Sequence, residues 1–105
     1  MPEGRISPDD VGIWNDEQAN AYKRITSFIK SQHSVPGIQL AHARRKASTY
    51  SPWKGKEKVN IENSGWQTLA PSPVPFADNF PLPKAMSKED IKLVIDQFIK
   101  AAKRY

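Results

Sequence analysis

The stretch Gly37-Ile38-Gln39-Leu40-Ala41-His42-Ala43-Arg44-Arg45-Lys46-Ala47-Ser48 decides how this chain is read. Its first five residues form a short apolar run in which Ile38 and Leu40 alternate with Gln39. A period of two puts Gln39 on the opposite face of a strand from its neighbours. The run then gives way within a few residues to His42, Arg44, Arg45 and Lys46. An apolar strand that ends in a burst of positive charge suits three different proteins: one that binds nucleic acid, one that holds an anionic cofactor, and one with an ordinary solvated loop.

The charge is local. The chain has 105 residues, the size of one small domain, and a net charge of +5. Between Arg44 and Lys58 six basic residues face Glu57 alone, and that imbalance equals the net charge of the whole chain. Charge gathered in one loop points to a local anion more than to general solubility. There is no cysteine, which excludes disulfides, thiolate catalysis and zinc–thiolate sites. The only histidines, His33 and His42, are too few and wrongly spaced for a metal-binding motif. No apolar run approaches the roughly 18 residues of a membrane span, and Met1–Asp10 lacks the form of a signal peptide. The expected location is cytoplasmic.

Two helices flank the stretch. Asn15 with Gln18 three residues on is a capping-box spacing, and Asp16 and Glu17 suit the positive end of a helix dipole. Ala21, Tyr22, Ile25, Phe28 and Ile29 form one apolar stripe, so a helix is expected over about 16–32. Ser87 and Asp90 repeat the capping pattern. Ile91, Val94, Ile95, Phe98, Ile99 and Ala102 keep helical spacing to about residue 104. A strand is expected at about 37–41 and an irregular excursion over about 42–86. Excursions beyond about 15 residues are usually functional or disordered. Trp53 and Trp66 argue for order. Both helices present a one-sided apolar face, and one five-residue strand gives them little to pack on. Helix, strand, long loop, helix is a slice of an alternating α/β protein.

The segments "GRISPDDVGIWND" (residues 4–16), "VPGIQLAHARRKAS" (35–48), "PW" (52–53), "GWQTLAPSPVPF" (65–76) and "MSKEDIKLVIDQFIKAAKR" (86–104) resemble, in order and spacing, the old yellow enzyme family of NADH:flavin oxidoreductases. The likeness is greatest to its xenobiotic reductase-like enoate reductases. The resemblance implies an α/β fold, part of a (β/α)8 TIM barrel that carries FMN at the C-terminal ends of its strands. A whole barrel takes about 250 residues. The chain is therefore expected to be an internal fragment of an FMN-binding domain.

The resemblance also assigns roles. Gln39 matches the family's strand glutamine that bonds the polar edge of the flavin. An amide suits that task because it both donates and accepts. His42, Arg45, Lys46 and Trp53 match loop positions expected to support the loop or contact ligand. No catalytic residue and no metal ligand is assigned. The family's substrate-binding histidine pair would lie beyond Tyr105. The implied reaction passes hydride from NAD(P)H through FMN to an activated alkene, with FMN and a small enone-type substrate as partners and neither nucleic acid nor membrane. With Gln39 nearly its only flavin contact, the isolated chain is expected to be inactive and to hold FMN weakly. Two other functions compete: a non-catalytic piece that associates through exposed strand edges and helix faces, including with itself, and a basic-loop nucleic-acid binder. Arg44 departs from the family pattern, which has glycine there. If that glycine has positive φ, an arginine is strained by about 1 kcal/mol or more.

Overall fold

A computed structural model describes residues 1–55 and 57–105; Lys56, one cation of the basic run, lies outside the described residues. Two helices dominate: α1 (Asp16–Ser31) and α2 (Lys88–Arg104). Both begin with complete capping boxes. Asn15 Oδ1 accepts from the Gln18 N–H at 2.9 Å while the Gln18 side chain accepts from the Trp14 and Asn15 N–H groups. Ser87 and Asp90 do the same for α2, and Lys84 adds an ion pair to Asp90 at 2.9 Å. α1 ends in a Schellman turn. His33 takes a left-handed backbone (φ 58), its N–H donates to Lys30 O, and the Ser34 N–H donates to Ile29 O. One of the two histidines is thus an exposed helix stop.

The excursion holds more order than its sequence suggests. β1 (Leu69–Ala70) and β2 (Lys84–Ala85) pair in parallel, extended by bonds from the Lys84 N–H to Thr68 O and from the Met86 N–H to Ala70 O. Residues 48–59 fold back on themselves through an antiparallel bridge between Thr49 and Lys58. The expected strand at 37–41 is a correction. These residues join no β-ladder among the described residues: the one sheet pairs β1 with β2, and residues 37–41 take no part in it. Alternation in sequence reports which side chains share a face, and says nothing about a partner strand.

Burial is inverted relative to an ordinary small domain. The most deeply buried side chains are hydroxyls in loops, Ser7, Ser48, Ser51 and Thr68, together with Ala47 and Ala70. They knit the lead-in to the excursion. The Thr49 N–H donates to Ile6 O at 3.0 Å, Ser51 Oγ meets Ser7 Oγ and Asp9, and Ser48 Oγ accepts from the Trp66 N–H. The helices bury only Ala19 and Ala101, while Phe28 of α1 and Ile95 of α2 are 66% and 55% exposed. Arg104 Nε reaches Asp16 Oδ1 at 2.8 Å and ties the end of α2 to the start of α1. The apolar stripes of both helices are therefore largely uncovered.

Candidate functional site

The segment carrying Gln39 lies in the wall of a cavity of about 380 Å³, shared with the lead-in (Gly4, Arg5, Val11–Trp14), with Tyr22 of α1 and with Gln97 and Phe98 of α2. Two sets of contacts build that wall, and a third holds the turn just beyond it.

The first is a stacked arginine. The Arg5 guanidinium lies 4.7 Å from the Trp66 ring centroid and 5.3 Å from that of Trp14. Its Nε donates to Pro2 O and a terminal nitrogen donates to Pro8 O, so its planar fork is engaged at edge and face. Gly12 makes room for this arrangement: a Cβ there would lie 1.8 Å from the Trp14 ring. Arg5 was not singled out from the sequence. Its signal was present only as separate pieces, an arginine in "GRIS" and tryptophans in "GIW" and "GWQ".

The second contact is the end of the Gln39 segment. The Ala43 N–H donates to Gly4 O at 2.9 Å and so pins the segment to the lead-in. His42 lies against Gly4, where an added Cβ would meet its Cδ2 at 3.3 Å. Its Nδ1 accepts from the Arg44 N–H at 3.0 Å, and its Nε2 is buried without a hydrogen-bond partner among the described residues. Burial, then the nearby amino terminus and Arg44, push the imidazole below the usual histidine range, with Glu3 opposing.

The third is the basic turn. Arg44–Lys46 form one 3-10 turn that begins with Arg44 at φ 56. Lys46 Nζ lies 4.2 Å from the Phe76 centroid and the Arg45 guanidinium 5.9 Å, and Phe76 in turn packs edge-on against Phe80. These two cations are occupied with an aromatic face of the chain itself.

Gln39 is exposed and lines the cavity, and its amide makes no hydrogen bond among the described residues. Ile38 and Leu40 are half-buried beside it; Leu40 also lines an adjoining cavity of about 420 Å³, which Gln39 does not. Trp53 stands apart at the tip of the 48–59 hairpin, 75% exposed and outside both cavities. Beside it Lys54 pairs with Asp9 at 2.8 Å. The structure thus brings Gln39 and His42 to one cavity, sets Arg45 and Lys46 on Phe76, and leaves Trp53 distant.

The arrangement suits recognition more than proton chemistry. Its wall is mostly apolar, with a few polar groups, among them the Gln39 amide, the His42 imidazole, Arg5 and Asp10, the usual make-up of a pocket for a flat, amphipathic molecule. Among the described residues no three His, Asp or Glu side chains gather as a metal site, and no helix is long and apolar enough to cross a membrane.

The sequence model of the NADH:flavin oxidoreductase / NADH oxidase family matches residues 1–105. The chain belongs to that family. Curated relatives agree. An NADH:flavin oxidoreductase of Gibberella zeae is 47% identical over 105 residues, covering 96% of this chain and 25% of the relative. NADPH dehydrogenases of Bacillus cytotoxicus and Bacillus subtilis are 44% and 38% identical, covering 97% and 98% of this chain and 25% and 26% of theirs. The chain spans about a quarter of the length of the curated relatives it matches. The resemblance carried by the "GIQLAHARRKAS" stretch and its neighbours is to this same family, whose fold is a TIM barrel. The chain itself displays two helices and a two-stranded parallel sheet.

Proposed function

We propose that this chain supplies the Gln39 wall of an FMN-dependent NAD(P)H oxidoreductase acting on activated alkenes. The observation that carries the proposal is the Gln39 amide: it faces a cavity with no hydrogen-bond partner of its own among the described residues. An amide so placed matches the polar edge of a flavin, where a carbonyl oxygen accepts from the NH2 and a ring N–H donates to the C=O. Gln39 fits FMN in chemistry and in access. When bound, FMN supplies the hydride relay from NAD(P)H to the electron-poor carbon of the alkene. The residues of this chain orient the ring edge through Gln39. His42 holds the loop end, and Arg45 and Lys46 shape the turn beyond it.

The test is a chimera in which residues 1–105 replace the corresponding quarter of the Bacillus subtilis relative. Retained flavin absorbance and NADPH oxidation dependent on an added enone are expected. Gln39→Leu in that chimera should weaken flavin retention about tenfold, the loss of one or two neutral hydrogen bonds at a buried edge. An unchanged flavin affinity in Gln39→Leu would remove Gln39 from the site. The chain alone is expected to bind FMN more weakly than the micromolar range, as read by quenching of flavin fluorescence.

A second reading rests on the exposed stripes of α1 and α2. Phe28, Ile95 and Ile99 are unpaired apolar surface on a small chain, and such surface associates. In this reading the chain is a non-catalytic piece that joins a complementary part or a second copy. Sedimentation at several concentrations separates the two readings, because a concentration-independent monomer excludes self-association.

A further inference from the structure

Arg44 holds a left-handed backbone, and the ring two residues before it holds its amide hydrogen. A ring nitrogen that accepts a hydrogen bond carries no proton, so a neutral His42 keeps its proton on Nε2. The ring cannot easily drift from this post. It is seated against Gly4, and the Gly4 carbonyl holds the Ala43 N–H. Beyond Arg44 the turn closes through bonds from the Lys46 N–H to Ala43 O and from the Ala47 N–H to Arg44 O, which set Arg45 and Lys46 over Phe76.

We propose that His42 is a pH-gated latch on the basic turn: the neutral ring fixes the left-handed Arg44 through Nδ1, and protonation of Nδ1 releases it. Protonation converts the acceptor into a donor that faces the Arg44 N–H, so the bond is lost and two donors confront each other. The charged groups around the ring are Arg44 on its own turn, and Glu3 and the amino terminus on the lead-in. Glu3 favours the charged ring; burial, Arg44 and the amino terminus oppose it, which sets release on the acid side of the usual histidine range. On release the turn loses the bond that holds its first residue, and Arg45 and Lys46 are freed from Phe76. The latch is independent of any flavin, so its test stands whether or not the proposed function holds.

The experiment is nitrogen-15 NMR of the full chain, followed from about pH 7.5 to about pH 4.5, a range that spans histidine titration. At neutral pH the ring nitrogens of His42 should report the Nε2–H tautomer. On acidification the Arg44 amide resonance should move with the same midpoint as the His42 ring and lose its protection from exchange. In His42→Asn, whose side-chain oxygen accepts but does not titrate, the Arg44 amide should stay in place throughout. An Arg44 amide that ignores the His42 titration, or an Nδ1–H tautomer at neutral pH, would overturn the latch. The wild-type titration decides even if the variant fails to fold.

Discussion

The Arg5 guanidinium lies over the Trp66 ring, 4.7 Å from its centroid, while the indole N–H donates to Glu3 O at 2.9 Å. The contact joins the beginning of the chain to the middle of the excursion, and Arg5 itself lines the Gln39 cavity. Each cation–π pair at a half-buried site contributes about 1 kcal/mol. With Trp14 as the second ring, Arg5→Ala should lower stability by about 2 kcal/mol. Arg5→Lys should recover less than half of that, because an ammonium cannot stack or bond along two edges at once. Urea unfolding followed by tryptophan emission measures both.

His33 and Arg44 are left-handed residues with side chains that the conformation does not favour. His33→Gly should raise stability by about 1 kcal/mol, since glycine is the natural residue at the position after a helix cap. Arg44→Gly should also gain about 1 kcal/mol and should lessen the cost of losing His42, whose bond to Arg44 then holds a turn that needs less holding. A shifted urea midpoint at constant slope would register either gain.

Gly65 is a site of close backbone approach. A Cβ there would stand 2.1 Å from Val59 O and 2.8 Å from the Asn60 carbonyl carbon, both main-chain atoms with no rotamer to retreat into. Gly65→Ala should cost about 2–3 kcal/mol, the upper range for overpacking, and should detach the 48–59 hairpin. Thermal melting gives the cost, and loss of the Val59 amide's protection gives the location.

Acid should destabilise the chain in two stages. Burial holds the His42 pKa below its unfolded value, so on acidification the unfolded chain takes up the proton first. Stability then begins to fall just below about pH 6.5 and continues to fall down to the folded pKa. Asp9, bonded by Lys54 and Ser51, and Asp90, bonded by the Ser87 N–H and Lys84, are also held below their usual values. Their contributions are present above the ordinary carboxyl range and are lost as pH falls through their folded pKa values. Stability measured against pH should show both stages, and His42→Asn should abolish the first alone.

The helices were legible because their signals are local. Asn15 with Gln18 and Ser87 with Asp90 are spaced in the sequence as they bond in space. The strained Arg44 was legible through resemblance, as an arginine where the family has glycine. The strand at 37–41 was misread because alternation around Gln39 reveals faces and never partners. The stacking of Arg5 on two tryptophans depends on segments far apart in the chain, which no periodicity records. Ser7, Ser48, Ser51 and Thr68 look like surface residues by type, and only the fold shows them as the deepest points of the molecule.

That arrangement reverses the usual order of unravelling. Helical amides ordinarily resist solvent longest, but here α1 and α2 have most of one face bare and are joined at one end by Arg104 and Asp16. The amides of Thr49, Val59 and Lys84 donate into the hydroxyl-lined centre of the loops. On heating, the helices should fray first and leave a loop-built knot intact, so the part of the chain that looks least regular acts as its keystone.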